Sequence, residues 1–397
     1  MATISDLSCD LVEEILIRVP ITCLGAVRST CKRWNAVSKS RLLCKAEANE
    51  QFLGFMIMNS KLCSLRFDVH EEFTIKDSLN QVEVSEALVC DGLLLCVTLT
   101  RDEKNIKQPH GLMLWNPYLG QTRWIQPPRR GRRYENRSEV YAFGYDNSTN
   151  HRNHKILRYC CHGSKEEECE IYDVQSGSWR TLGDDVTLHW GRREDYFHLS
   201  ASLKGNTYFL DRYGDDDEMV NGFLVCFDFT TERFGEMLPL PWSEEPSYYG
   251  RVTSISSFRE EKLAALYMDS PMPEMGIWVT TKTESNELLW SNLFKINLEA
   301  IPSNDCFGVF SFFVDVEKKQ VVFFSYVSVT NTKSEKEYYD VAYITGENDF
   351  FRTVYLGGIN TCYYFDPVVC SNSYVPSLVQ LKQKEREEEE EEESSSS

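Results

Sequence analysis

The sequence has no Cys-x-x-Cys pair, no long apolar run and little positive charge for its length, and each lack removes a class of protein. Fourteen cysteines are scattered along 397 residues without the paired spacing of a zinc ribbon or a dithiol redox site. No apolar run reaches the ~20 residues that a membrane-crossing helix needs. The start lacks a basic n-region, and Asp10, Glu13 and Glu14 interrupt its apolar residues, so no secretory signal is read there. The expectation is a cytoplasmic or nuclear protein, or one found in both, whose reduced thiols serve as small core hydrophobes. Catalytic signatures are lacking too: GxSxG, GxxxxGK[ST], HExxH and GxGxxG do not occur. No catalytic residue, cofactor or metal is expected.

Lysine and arginine number 42 against 61 aspartates and glutamates, a formal net charge of −19. Residues 382–397 hold eight Glu against Lys382, Lys384 and Arg386, so they supply −5 of that and leave −14 elsewhere. This balance argues against nucleic acid and against an anionic membrane surface, both of which attract basic faces. Apolar residues at 42% and charged residues at 26% are ordinary for a globular chain. Three parts are expected: residues 1–48, residues 49–375, and an acidic Glu/Ser-rich tail, 376–397, with too few apolar residues to fold.

Helical spacing is confined to the beginning. Leu7, Leu11 and Ile15, with Val12, Leu16 and Val19, recur at i, i+4 and i+7. Ser5, Asp6 or Ser8 can cap such a helix, the acidic residues suit its N-terminal dipole, and Pro20 stops it. Thr22 can open a second helix carrying Leu24, Val27, Cys31 and Trp34, and a short third is expected over about residues 41–50. Three short helices make a thin core. Leaving half of the first helix's apolar side chains in water would cost several kcal/mol at ~1.5–3 kcal/mol each. The stripe therefore needs a cover, either a partner protein or the chain's own downstream domain.

From Phe52 onward the pattern is β. Short β-branched and aromatic runs alternate with turn residues, as in Ala87 to Cys96, where Asp91-Gly92 separates two apolar runs. A phrase recurs: a strand ending in an aromatic, a polar turn, then a strand with a second aromatic. It runs Leu114 to Trp124, Ile171 to Trp179 and Cys226 to Phe234, with looser copies at Ile277 to Trp290 and Ala342 to Phe351. The leading aromatics Trp115, Tyr172, Phe227 and Trp278 stand 57, 55 and 51 residues apart. A period near 50 suits a kelch-type blade of four strands, with room for roughly six blades. A two-sheet sandwich with insertions is the alternative.

Two stretches resemble known families. Leu7-Ser8-Cys9-Asp10-Leu11-Val12-Glu13-Glu14-Ile15-Leu16, ending in Pro20, then Leu24, Val27-Arg28 and Cys31-Lys32-Arg33-Trp34, is similar to an F-box. Ser8 stands where that family usually has proline, which implies weaker docking at most. Cys90-Asp91-Gly92-Leu93-Leu94-Leu95-Cys96, Leu114-Trp115-Asn116-Pro117 and Ala142-Phe143-Gly144-Tyr145-Asp146 resemble the plant-type F-box-associated domain. The resemblance implies a small all-α F-box module followed by a mainly-β domain, a kelch-like propeller. It implies docking onto a Skp-family adaptor, and through it a cullin ligase, by Leu7, Leu11, Ile15, Leu16, Pro20, Leu24 and Val27. Trp34 and Cys31 would pack inside the module. The β domain would bind a protein substrate whose identity the sequence does not give.

Other features have plainer readings. Arg129, Arg130, Arg132 and Arg133 form a basic loop that suits an acidic or phosphorylated partner, or is only a solvated connection. Asp215-Asp216-Asp217-Glu218 lacks the alternating spacing of a calcium loop and reads as a turn. His151, His154, Cys160, Cys161 and His162 are the one metal-like group. Adjacent cysteines on a strand point to opposite faces, which suits chelation poorly. Three functions follow: a non-catalytic substrate adaptor of an SCF-type ubiquitin ligase, an enzyme with a propeller-borne site, such as a carbohydrate-active one, or an F-box scaffold that delivers nothing for degradation.

Overall fold

A computed structural model describes Leu11, Val12, Ile15, Leu16, Val19, Val27, Thr30, Lys32 and Trp34 near the start. It also describes the strands from Phe52 to Gly358 with most of their short turns, and residues 376–381. The expected third helix, Asp215 to Glu218 and the arginines at 129–133 lie outside the described residues.

The strands form antiparallel sheets in chain order. The first has three: β1 (Phe52–Met58), β2 (Lys61–Phe67) and β3 (Thr74–Asp77). The second has β4 (Val84–Cys90), β5 (Leu93–Arg101), β6 (Lys107–Asn116) and β7 (Gln121–Ile125). The third has β8 (Ser138–Asp146), β9 (Asn153–Cys161), β10 (Glu168–Asp173) and β11 (Ser178–Thr181). The fourth has β12 (Ser200–Leu203), β13 (Asn206–Tyr213), β14 (Val220–Asp228) and β15 (Arg233–Pro239). The fifth has β16 (Arg251–Phe258), β17 (Lys262–Asp269), β18 (Glu274–Glu284) and β19 (Glu287–Asn297). The sixth has β20 (Ser311–Asp315), β21 (Gln320–Thr330), β22 (Lys336–Gly346) and β23 (Phe351–Gly358).

Each sheet packs on the next, and the last packs on the first. Leu95 and Leu114 meet Phe143 and Ile156; Leu157 and Ile171 meet Phe209 and Phe227. Leu210 and Leu224 meet Leu263 and Ala265; Leu266 and Ile277 meet Phe312 and Phe323. Phe324 and Ile344 meet Met56 and Leu65, and Phe55 and Ile57 meet Leu94 and Met113. This is a closed β-propeller, not a sandwich. Of the roughly six blades expected, five are complete with four strands among the described residues, and the sheet with three described strands closes the ring.

Strand sequence explains the architecture. Ile156 faces the second sheet and Leu157 the fourth; Ala264 faces the sixth and Ala265 the fourth. Successive side chains point to opposite faces, and both faces are buried, so the central strands read as continuous apolar runs. All five leading aromatics, Trp115, Tyr172, Phe227, Trp278 and Tyr343, lie on the third strand of their sheets, which accounts for the repeat. Asp91 and Gly92 form the expected two-residue turn, with φ of 53° and 69°, the left-handed geometry that favours glycine. The described cysteines, Cys63, Cys90, Cys96, Cys169 and Cys226, are buried and joined in no disulfide.

Polar bonds lock neighbouring blades near their turns. His154 Nε2 lies 3.1 Å from Asp91 Oδ2, while Asp91 Oδ1 pairs with Arg152. Lys155 Nζ bonds Asp146 Oδ2 at 3.1 Å, the Phe229 carbonyl at 3.0 Å and Glu232 Oε1 at 2.9 Å. Burial works to lower the Lys155 pKa, but the hydrogen bonds to Glu232 and Asp146 outweigh it and the net direction is upward. Gly144 belongs to the same seam: a Cβ there would meet the Gly205 carbonyl at 2.2 Å and the Phe229 ring at 2.3 Å.

Two outcomes are expected. Gly144→Ala should cost about 1–3 kcal/mol through overpacking and lower the thermal midpoint, read by calorimetry. Asp340, buried in β22, has its carboxyl pushed up to about 7 by burial. The folded chain then keeps a proton that the unfolded chain releases near pH 4, so stability falls as pH rises from about 4 to about 7. Asp340→Asn should therefore stabilise by on the order of 2 kcal/mol at pH 8 and change little at pH 4, in denaturant melts at both values.

Candidate docking surface

The N-terminal helix presents two faces. Leu11 and Ile15, one turn apart, are 53% and 42% exposed. Val12 and Leu16, also one turn apart and rotated by ~100°, are 0% and 1% exposed. Both inward residues pack on Tyr118 and Leu119 in the β6–β7 turn, with Val19, Val27 and Trp34 half-buried around them. Val19 N donates to the Leu16 carbonyl at 3.2 Å, and Thr30 Oγ1 in the second helix donates to the Val27 carbonyl at 2.6 Å.

The chain's own propeller therefore covers one face of the apolar stripe, and the other face stands outward. Of the residues expected to meet an adaptor, Leu11 and Ile15 lie on the outward face. Leu16 and Val27 turn instead toward the propeller, because a six-apolar stripe is wider than one contact and its inner edge meets Tyr118 and Leu119. Leu7, Pro20 and Leu24 lie outside the described residues, as does Cys31. Trp34 joins the inner cluster.

The seat of the helix is built by the turn itself. Asn116, which ends β6, is fully buried; its Oδ1 accepts from Leu119 N at 3.0 Å, and its carbonyl accepts from Gly120 N at 2.8 Å. Gly120 sits at φ 66°, the left-handed conformation that returns the chain into β7. Sequence reasoning missed Tyr118 and Leu119, yet a signal existed. The matching positions in the β10–β11 and β14–β15 turns are Gln175-Ser176 and Thr230-Thr231, polar as turn tips usually are. Two large apolar residues at such a tip need a cover.

Residues 376–381 also depart from expectation. They fall within the expected acidic tail, but they lie on the propeller, and Leu381 is buried in the core between the second and third sheets. Asn116 Nδ2 donates to the Ser377 and Val379 carbonyls at 3.0 and 2.9 Å.

Of the metal-like group, His151, His162 and the side chains of Cys160 and Cys161 lie outside the described residues, which leaves His154. The His154 ring lies between Phe143 and Tyr145, with centroids at 5.8 and 5.7 Å, and bonds Asp91. No set of three His, Cys, Asp or Glu residues that would hold a metal ion occurs among the described residues. No helix among them is long and apolar enough to cross a membrane.

Comparison with known proteins agrees with this division of the chain. The F-box domain profile matches residues 4–45, and that of the F-box associated beta propeller domain matches residues 53–381. An Arabidopsis thaliana F-box protein is 44% identical over 413 aligned residues, 96% of this chain and 97% of the relative. An F-box/kelch-repeat protein of the same plant is 40% identical over 410 residues, 96% of this chain and 97% of its own. Among solved structures, a luciferin-regenerating enzyme is matched at a TM-score of 0.34 and 10% identity, over 79% of this chain and 96% of that one, too loosely to carry weight. The helical module seated on a closed propeller, the two profile matches and the full-length relatives together make this chain a member of the F-box proteins that carry an F-box-associated β-propeller domain.

Proposed function

We propose that the chain is the substrate-recognition adaptor of an SCF-type ubiquitin ligase. Leu11 and Ile15 dock a Skp-family adaptor, which brings a cullin, and the propeller holds a protein substrate. The chain itself is non-catalytic. Its contribution is effective concentration: substrate and ubiquitin-charged enzyme held on one frame react as if within one molecule. Leu7, Pro20 and Leu24 complete the docking face.

One observation carries this reading. Two large aliphatic side chains stand exposed on a helix whose other face is already seated on the propeller. Exposed leucine and isoleucine at i, i+4 spacing are what a helix-in-groove contact uses. Strand direction supports a division of labour. Turns within strand pairs such as β4–β5 and β6–β7 emerge at the end that carries the helix. The longer connections between sheets leave from the opposite end, so substrate recognition is proposed there.

The test is capture of the chain by purified Skp-family adaptor. Wild type should be retained, and Leu11→Asp/Ile15→Asp should reduce retention at least tenfold while its melting curve stays unchanged. Retention of the double variant at the wild-type level would refute the docking face.

A further inference from the structure

The β6–β7 turn performs two tasks: its apolar tip seats the N-terminal helix, and its first residue grips the C-terminal segment. Asn116 gives both amide protons to that segment, at the Ser377 and Val379 carbonyls, while Oδ1 holds Leu119 N. Gln121, the first residue of β7, adds two bonds: Nε2 to Gln380 Oε1 and Leu381 N to Oε1, both 2.9 Å. Leu381 is buried and Val379 half-buried in the cleft between the second and third sheets, in one cluster with Cys90, Leu93 and Val174.

The sister turns show what is special here. Asp173 opens the β10–β11 turn and Asp228 the β14–β15 turn. Their Oδ1 atoms accept from Ser176 N and Thr230 N, each at 2.7 Å. Their carbonyls accept from Gly177 N at 2.8 Å and Glu232 N at 2.7 Å, matching the Gly120-to-Asn116 bond. A carboxylate thus suffices to build this turn. An amide adds two donors, and at position 116 both go to the C-terminal segment.

We infer that Ser377 to Leu381 is a latch, held in the cleft between the second and third sheets, that fixes the seat of the N-terminal helix through Asn116 and Leu119. The amide is planar and rigid, so its two ends move together. If the segment leaves, two buried donors lose their acceptors. The amide then turns to find others and takes Oδ1 off Leu119 N, whose side chain supports Val12 and Leu16. The consequence rests on the docking role proposed above. Anything that withdraws the C-terminal segment would loosen the angle between the docking helix and the propeller that holds substrate.

Hydrogen exchange with mass spectrometry on the full-length protein tests this without any adaptor. Asn116→Asp keeps the turn chemistry of the sister turns but removes both donors. Leu381→Asp expels the plug and leaves Asn116 intact. Both should expose residues 377–381 with β20 to β23 unchanged. Leu381→Asp should raise exchange over residues 11–19 at least tenfold, whereas Asn116→Asp, whose carboxylate still holds Leu119 N as in the sister turns, should leave them at the wild-type rate. A Leu381→Asp protein that frees 377–381 while residues 11–19 exchange at the wild-type rate would overturn the coupling. So would an Asn116→Asp protein whose 377–381 stay protected, or a wild type in which 11–19 show no protection. Adaptor capture reads the docking face separately, so failure of the latch and failure of the adaptor reading are distinguishable.

Discussion

Each sheet of this chain has two apolar faces, and neither can be left in water. Met56, Leu65, Val322, Phe324 and Ile344 at the closing seam illustrate the scale. At ~1.5–3 kcal/mol per side chain, exposing those five would cost on the order of 10 kcal/mol. That is comparable with the whole net stability of a typical domain, roughly 5–15 kcal/mol. An open row of sheets would expose such faces at both ends, so the ring must close. Closure orders the rest: the first strands meet around the axis, turns such as β4–β5 and β6–β7 gather at one end, and the long connections between sheets leave from the other.

Closure also explains why the seams carry ion pairs. Lys155 is buried, and its charge is tolerable because Asp146, Glu232 and the Phe229 carbonyl satisfy it together. Arg158 is likewise buried, but its partners Glu139 and Glu170 lie on the neighbouring strands of its own sheet. Groups like Lys155 register one blade against the next. They sit among structural partners, and the third and fourth sheets use them where Gly144 and Gly205 bring backbones close.

The docking module depends on the propeller more than its sequence suggests. Its thin core is completed by Tyr118 and Leu119, residues about a hundred positions away in the chain. The same turn receives residues 376–381, so the N-terminal helix and that segment meet at one hairpin. Helix and propeller are thus packed as one piece through Val12, Leu16, Tyr118 and Leu119.

Much of this was legible from residues alone. Helical spacing of Leu11, Val12, Ile15 and Leu16, the period of Trp115, Tyr172, Phe227 and Trp278, and the Asp91-Gly92 turn are local or repeating signals. They follow from side-chain direction and turn chemistry, which need no knowledge of distant neighbours. The sequence by itself determined a helical module, a ring of four-stranded units and the absence of paired cysteines. Tertiary structure alone decided which edge of the helical stripe faces water. It also decided that Leu16 and Val27 turn inward, that Asn116 holds Ser377 and Val379, and that the acidic tail begins after Leu381. Those outcomes depend on contacts between residues roughly a hundred or more positions apart. Spacing along the chain carries no record of which distant surface will arrive to cover a given side chain.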